Sequence, residues 1–171
     1  PMLAIGNAMS TFTAQNIGAG NEKRVREGYR TCYFALAAFA AALCVLTQSF
    51  GSLFISAFLD AEVSEEAFSV AMSYADFISF FYILIGLKAT TDGLLRGAGD
   101  VTVFTVSNLA NLTIRVFVAS FFAPRYGLEF VWYAVPLGWA TNYAISFGWY
   151  LTGHWKRIRL IEGGEKRPYR A

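Results

Sequence analysis

Five polar side chains, Thr102, Thr105, Asn108, Asn111 and Arg115, recur every three or four residues through an otherwise apolar stretch. On a helix that spacing sets them along one face. Amide and guanidinium groups surrounded by hydrocarbon need partners, so such a face turns towards a bundle interior or a wet cavity. Asn108, Asn111 and Arg115 are therefore candidates for lining a substrate cavity. A plainer reading stays open beside it: the asparagines tie helices together while Arg115 snorkels to a nearby interface.

Other ionisable groups sit in apolar surroundings too. Asp76 shares a helical face with Ser69 and Ser73 and is the candidate for holding a proton or ion; the alternative is a structural pair with a cation such as Arg115. Lys88, Asp92 and Arg96 follow at i, i+4 and i+8, a spacing that predicts an intrahelical ion ladder. Pro136, within Val135-Pro136-Leu137-Gly138-Trp139, frees the carbonyl of Trp132 and is a hinge candidate, or else merely shapes packing. Two glycine turns, Gly18-Ala19-Gly20-Asn21 and Gly97-Ala98-Gly99-Asp100, have a faint phosphate-loop look. Neither has the Gly-Lys-Ser/Thr or the strand-turn-helix setting that loop requires. Gly18, Gly20, Gly97 and Gly99 read instead as tight reversals between helices. No Ser/His/Asp, Cys/His or paired-carboxylate arrangement stands out, and His154 alone supports neither a zinc site nor a triad. An enzyme is not expected, nor a bound metal, an organic cofactor or a nucleic-acid partner.

The elements that must position these residues are membrane spans. The chain of 171 residues is 56% hydrophobic and only 15% charged, against roughly 25% charged in soluble domains. Thr31–Leu59 carries no charge, and Phe130–Trp155 none apart from His154. At about 1.5 Å per residue either run exceeds the roughly 30 Å hydrocarbon core. The predicted fold is all-α, a polytopic transmembrane helical bundle over 1–155, with a basic tail at 156–171. Five spans are expected at about 1–17, 29–58, 68–95, 101–123 and 128–153, the fourth stopped by Pro124. Cys32 and Cys44 lie on one predicted helix, about 18 Å apart along its axis and too far for a disulfide. Lys23, Arg24, Arg26, Arg30 and Arg96 flank the glycine turns, and six more basic residues follow the last span. The opposite loops hold Asp60, Glu62, Glu65, Glu66 and Glu129, with Arg125 as their one basic residue. The positive-inside rule then places both turns and the C-terminus in the cytoplasm. Pro1 is not a natural start and no signal-peptide n-region follows it, so the chain is expected to be part of something longer.

Three motifs in order resemble a known family. Thr13-Ala14-Gln15-Asn16-Ile17-Gly18-Ala19-Gly20 followed by Arg24 resembles a loop of multidrug and toxic compound extrusion (MATE) transporters. Leu94-Leu95-Arg96-Gly97-Ala98-Gly99-Asp100 resembles its companion turn. Trp132–Trp139 and then Gly153-His154-Trp155-Lys156 resemble the last helix and its exit. The resemblance implies the C-terminal lobe of a twelve-helix transporter, from the end of helix 8 through helix 12. It implies export of cationic, amphipathic drugs or metabolites from the plasma membrane, in exchange for protons or sodium, by alternating access. The expected partners are the lipid bilayer, small cationic organic substrates and the missing N-terminal half. In one branch an acid midway along helix 10 helps bind the coupling cation. That position falls near Ile85, where Ile83-Leu84-Ile85-Gly86 has no acid. Coupling is thus expected mainly in the missing half. Two other readings stay open: a flippase of lipid-linked sugars, with Arg115 and Lys88 on a pyrophosphate, and a non-transporting membrane scaffold.

Overall fold

The computed structural model describes residues 1–58, 64–127 and 129–156. The tail expected at 156–171 falls, after Lys156, outside the described residues, as do Asp60 and Glu62 of the acidic loop and Leu128 at the expected start of the fifth span. The described residues form six helices: α1 (Met2–Gly18), α2 (Glu22–Phe58), α3 (Glu65–Ser79), α4 (Tyr82–Gly97), α5 (Val101–Tyr126) and α6 (Phe130–Thr152). A short 3-10 turn, His154–Lys156, follows. By length and apolar composition α2 and α5 can each cross a membrane alone, and α3 with α4 can do so as one bent span. Helix α2, with 37 residues, is about 55 Å long. Helix α1 has only 17 residues, and α6, with 23, is apolar and rich in tryptophan and tyrosine.

The two glycine turns are built alike. Asn21 N–H donates to the Asn16 carbonyl and Gly20 N–H to that of Ile17; Asp100 to Leu95 and Gly99 to Arg96 repeat the pattern. Gly20 and Gly99 take φ of 71° and 86°, the left-handed conformation that this helix end demands. Gly6 lies against Ala89 and Gly93, and Ser10 against Gly97, so α1 and α4 run parallel and both turns lie at one end of the bundle, called here the hairpin end. There Met9, Val25, Tyr29, Leu94, Leu95, Ala98 and Trp155 form the main apolar cluster. Away from it the skin is greasy: Phe34, Phe58 and Leu53 on α2 and Leu109, Leu112 and Val116 on α5 are exposed. Water would penalise such a surface, and lipid would not.

The third expected span, 68–95, is not one helix. It breaks between Ser79 and Tyr82, and its halves diverge by 54°. No proline or glycine causes the break. Ser79 Oγ donates to the Asp76 carbonyl at 2.8 Å, and Gln48 Nε2 on α2 donates to the same carbonyl at 3.2 Å. Side chains inserted into the backbone ladder in this way bend helices. Pro124 also acts differently from expectation. The fourth span does not stop at Ala123 but runs on to Tyr126: the proline lacks only its own donor, and the Gly127 N–H still closes the last turn on the Ala123 carbonyl.

Helices α1 and α4 approach backbone to backbone. A Cβ on Gly93 would lie 2.1 Å from the Gly6 carbonyl oxygen, and one on Gly97 would lie 2.2 Å from that of Ser10. Small residues at such crossings let helices pack without a hydrophobic driving force. Helix α6 packs on both α5 and α4, closing a three-helix junction.

Candidate functional site

That junction holds a buried ion pair. Lys88 and Asp92 sit one turn apart on α4, with Nζ 2.9 Å from Oδ2 and side chains only 15% and 6% exposed. Helix α5 supplies Asn108, whose Oδ1 accepts from Lys88 Nζ at 3.0 Å and whose Nδ2 donates to Asp92 Oδ2 at 3.2 Å. Helix α6 supplies Ser146, whose hydroxyl donates to Asp92 Oδ1 at 2.7 Å. Ammonium, amide and hydroxyl thus all converge on one carboxylate. Paired and hydrogen-bonded on both oxygens, Asp92 escapes the penalty of a buried lone charge. Immediately before Asp92, and so on an adjoining face of α4, Thr91 accepts or donates with Tyr29 and Tyr33 of α2 at 2.7 and 2.9 Å, and Tyr33 donates to Tyr143 of α6 at 3.3 Å. The two sets hold four helices in one register.

The expected ladder therefore stops after its first rung. Arg96 turns to α1 instead, donating to Asn7 Oδ1 at 2.7 Å and to Ser10 Oγ at 3.4 Å. The alternative pairing of Asp76 with Arg115 does not occur either. Asp76 faces Gly51 of α2, whereas the Arg115 stem lies against Gly138 of α6, so the helices carry them apart. The three cavity candidates have different surroundings. Asn108 belongs to the Lys88–Asp92 junction. Asn111 is buried against Gly138 with its Oδ1 unpaired, and Arg115 is exposed just beyond it. Pro136 is buried within an α6 that continues on both sides of it. Gly18 and Gly97 form the last helical residues before the turns, with open space around Gly18.

Sequence reasoning missed Asp100. In the first turn Asn21 caps its own helix by accepting the Arg24 N–H at 3.1 Å. Asp100, its counterpart, makes no such cap. Its buried carboxylate accepts Trp149 Nε1 at 2.6 Å and lies 3.7 Å from His154 Nδ1. It thereby fastens the end of α6 to the second turn. The one available signal was the Asn/Asp difference between otherwise matching turns. Two grooves lie against α6. One of about 520 Å³ between α3 and α6 is apolar apart from the polar edges of Tyr74 and Trp132. The other, about 330 Å³ between α2 and α6, is lined by Tyr29, Tyr33, Tyr143, Tyr150 and Arg30, with Phe34 and Phe147.

A helical bundle with an apolar skin and an ion pair between its helices is a multi-pass membrane protein. The MatE family model matches residues 1–121, and the chain belongs to that family of helical transporters. It is similar to two proteins of Bacillus subtilis (strain 168). It is 28% identical over 162 residues to "Probable multidrug resistance protein YpnP", covering 94% of this chain and 36% of that one. It is 25% identical over 169 residues to "Probable multidrug resistance protein YoeA", covering 95% and 35%. The chain thus spans about a third of the length of these curated relatives. No solved structure matches it.

Proposed function

We propose that the chain is the C-terminal lobe of a secondary multidrug exporter that exchanges cationic, amphipathic compounds for protons or sodium by alternating access. The observation that carries this reading is membership of the MatE family, together with two relatives named as multidrug resistance proteins that align along nearly the whole chain. Several features support it. The open α3–α6 groove offers an aliphatic and aromatic lining of the kind that apolar parts of small ligands contact. The break between α3 and α4 and the proline inside α6 are the discontinuities that transporter helices use around substrate sites. Asn111 and Arg115 are proposed to face the substrate path, and Asp76 is the remaining acid that could contact an ion. The main coupling site is assigned to the preceding half. The basic residues beside both turns favour a cytoplasmic hairpin end in the plasma membrane. Against a lipid-linked-sugar flippase, Lys88 is engaged by Asp92 and Asn108 and is not free for a pyrophosphate.

The test is efflux from cells loaded with a fluorescent organic cation. Cells expressing the full-length protein should lose dye faster than controls, and collapsing the proton and sodium gradients should abolish the difference. Unchanged dye retention alongside altered turnover of a lipid-linked sugar would assign the protein to the flippase class. No effect on either would leave it a scaffold.

A further inference from the structure

The junction of α4, α5 and α6 contains a cation that cannot leave. The Lys88 ammonium is held by Asp92 Oδ2 at 2.9 Å and Asn108 Oδ1 at 3.0 Å, separations close to those a large monovalent cation makes with oxygen. An ammonium has three donors, and these two bonds use two of them. A further oxygen lies at the same level. Helices α4 and α6 run in the same direction, and Ser146 meets Asp92, so Asn142 and Lys88, each one turn earlier, stand at matching heights. Asn142 is completely buried, and neither its Oδ1 nor its Nδ2 has a hydrogen-bond partner. A buried amide left this way is unusual and points to a site with spare coordinating capacity. Carboxylate, amide and hydroxyl oxygens are the donor set that hard monovalent and divalent cations select.

We infer that Lys88 is a tethered cation, filling at fixed occupancy a junction of Asp92, Asn108, Ser146 and Asn142 that would otherwise recruit a free monovalent cation. The consequence is that this three-helix core is locked independently of ion concentration, whatever ion the full transporter exchanges. Without the lysine, Asp92 would keep two neutral donors and no counter-charge, a state that burial strongly disfavours.

The test uses purified full-length protein and reads thermal unfolding, so it is independent of transport. Wild type and K88A are compared in sodium, potassium, methylammonium and N-methylglucamine chlorides at equal ionic strength. The wild type sets the baseline for any ion site elsewhere. K88A should unfold at lower temperature in N-methylglucamine. A small cation should then raise its midpoint saturably, beyond any rise in the wild type. The double variant K88A/D92N should lose that extra response. If K88A does not accumulate, K88Q, which keeps the length and two donors without the charge, is read the same way. Equal responses of wild type and lysine variant overturn the inference. So does a variant stabilised only by lowering pH, since Asp92 would then be neutralised by a proton instead.

Discussion

The close seam between α1 and α4 makes a prediction whose sign separates two effects. Replacing Gly93 by alanine puts a methyl group 2.1 Å from the Gly6 carbonyl oxygen, where ordinary contact begins at 3.4 Å. The obstacle is backbone, so no rotamer can clear it, and the helices must part by more than an ångström. Sliding is blocked too, because Gly97 on Ser10 and Gly6 on Ala89 are equally tight along the same seam, at 2.2 and 2.5 Å. Overpacking of this kind costs about 1–3 kcal/mol. Helix propensity works the other way, favouring alanine over glycine by about 1 kcal/mol. The net expectation is a destabilisation of up to about 2 kcal/mol, the upper end applying because the obstacle is backbone. Gly148, on α6, supplies the control: a Cβ there meets nothing within 4 Å, so G148A should be neutral or stabilising by up to about 1 kcal/mol. Thermal unfolding can be followed with a thiol-reactive dye on Cys32 and Cys44, both free and half-buried in α2. G93A unfolding at or above the wild-type temperature, in step with G148A, would refute the close crossing.

Breaking the Lys88–Asp92 pair by D92A should destabilise by about 3–5 kcal/mol, because it leaves a buried ammonium uncompensated. The double variant K88M/D92L should unfold above D92A in the same assay. At the first glycine turn, G20A should cost about 1–2 kcal/mol for forcing a side chain into the left-handed region. G18A, in open helical space, should be neutral or better by the same measurement. W149F removes the indole donor from the buried Asp100 carboxylate and should lower stability by about 1–3 kcal/mol. On a background with Cys32 and Cys44 replaced, a cysteine at Glu65 should react in intact cells with an impermeant maleimide, and one at Lys23 should react only after lysis.

Features set by local chemistry were legible in the sequence. The glycine turns followed from two matching tetrapeptides, and the membrane class from long uncharged runs. What depended on partners distant in the chain was not. Lys88 and Asp92 were visible at i, i+4, but Asn108 and Ser146 reach them only because α5 and α6 fold back onto α4. Arg96 has the right spacing for the same ladder, yet Asn7 and Ser10 on α1 compete for it and win. The break after Ser79 required Gln48 from another helix, and no proline or glycine announced it. Pro124 illustrates the limit of a residue rule: it forfeits its own donor to the Ser120 carbonyl, yet the helix runs on to Tyr126. Asp100 looked like turn punctuation because its partner, Trp149, lies 49 residues further along.

The central claim is ion-coupled export of organic cations, and reconstitution tests it most directly. Full-length protein in liposomes, preloaded with a fluorescent organic cation on its cytoplasmic side, is given an opposing proton or sodium gradient. The dye should move against its own gradient, and dissipating the ion gradient should abolish that movement. Dye movement that merely equilibrates, or that ignores both ion gradients, would contradict ion-coupled export.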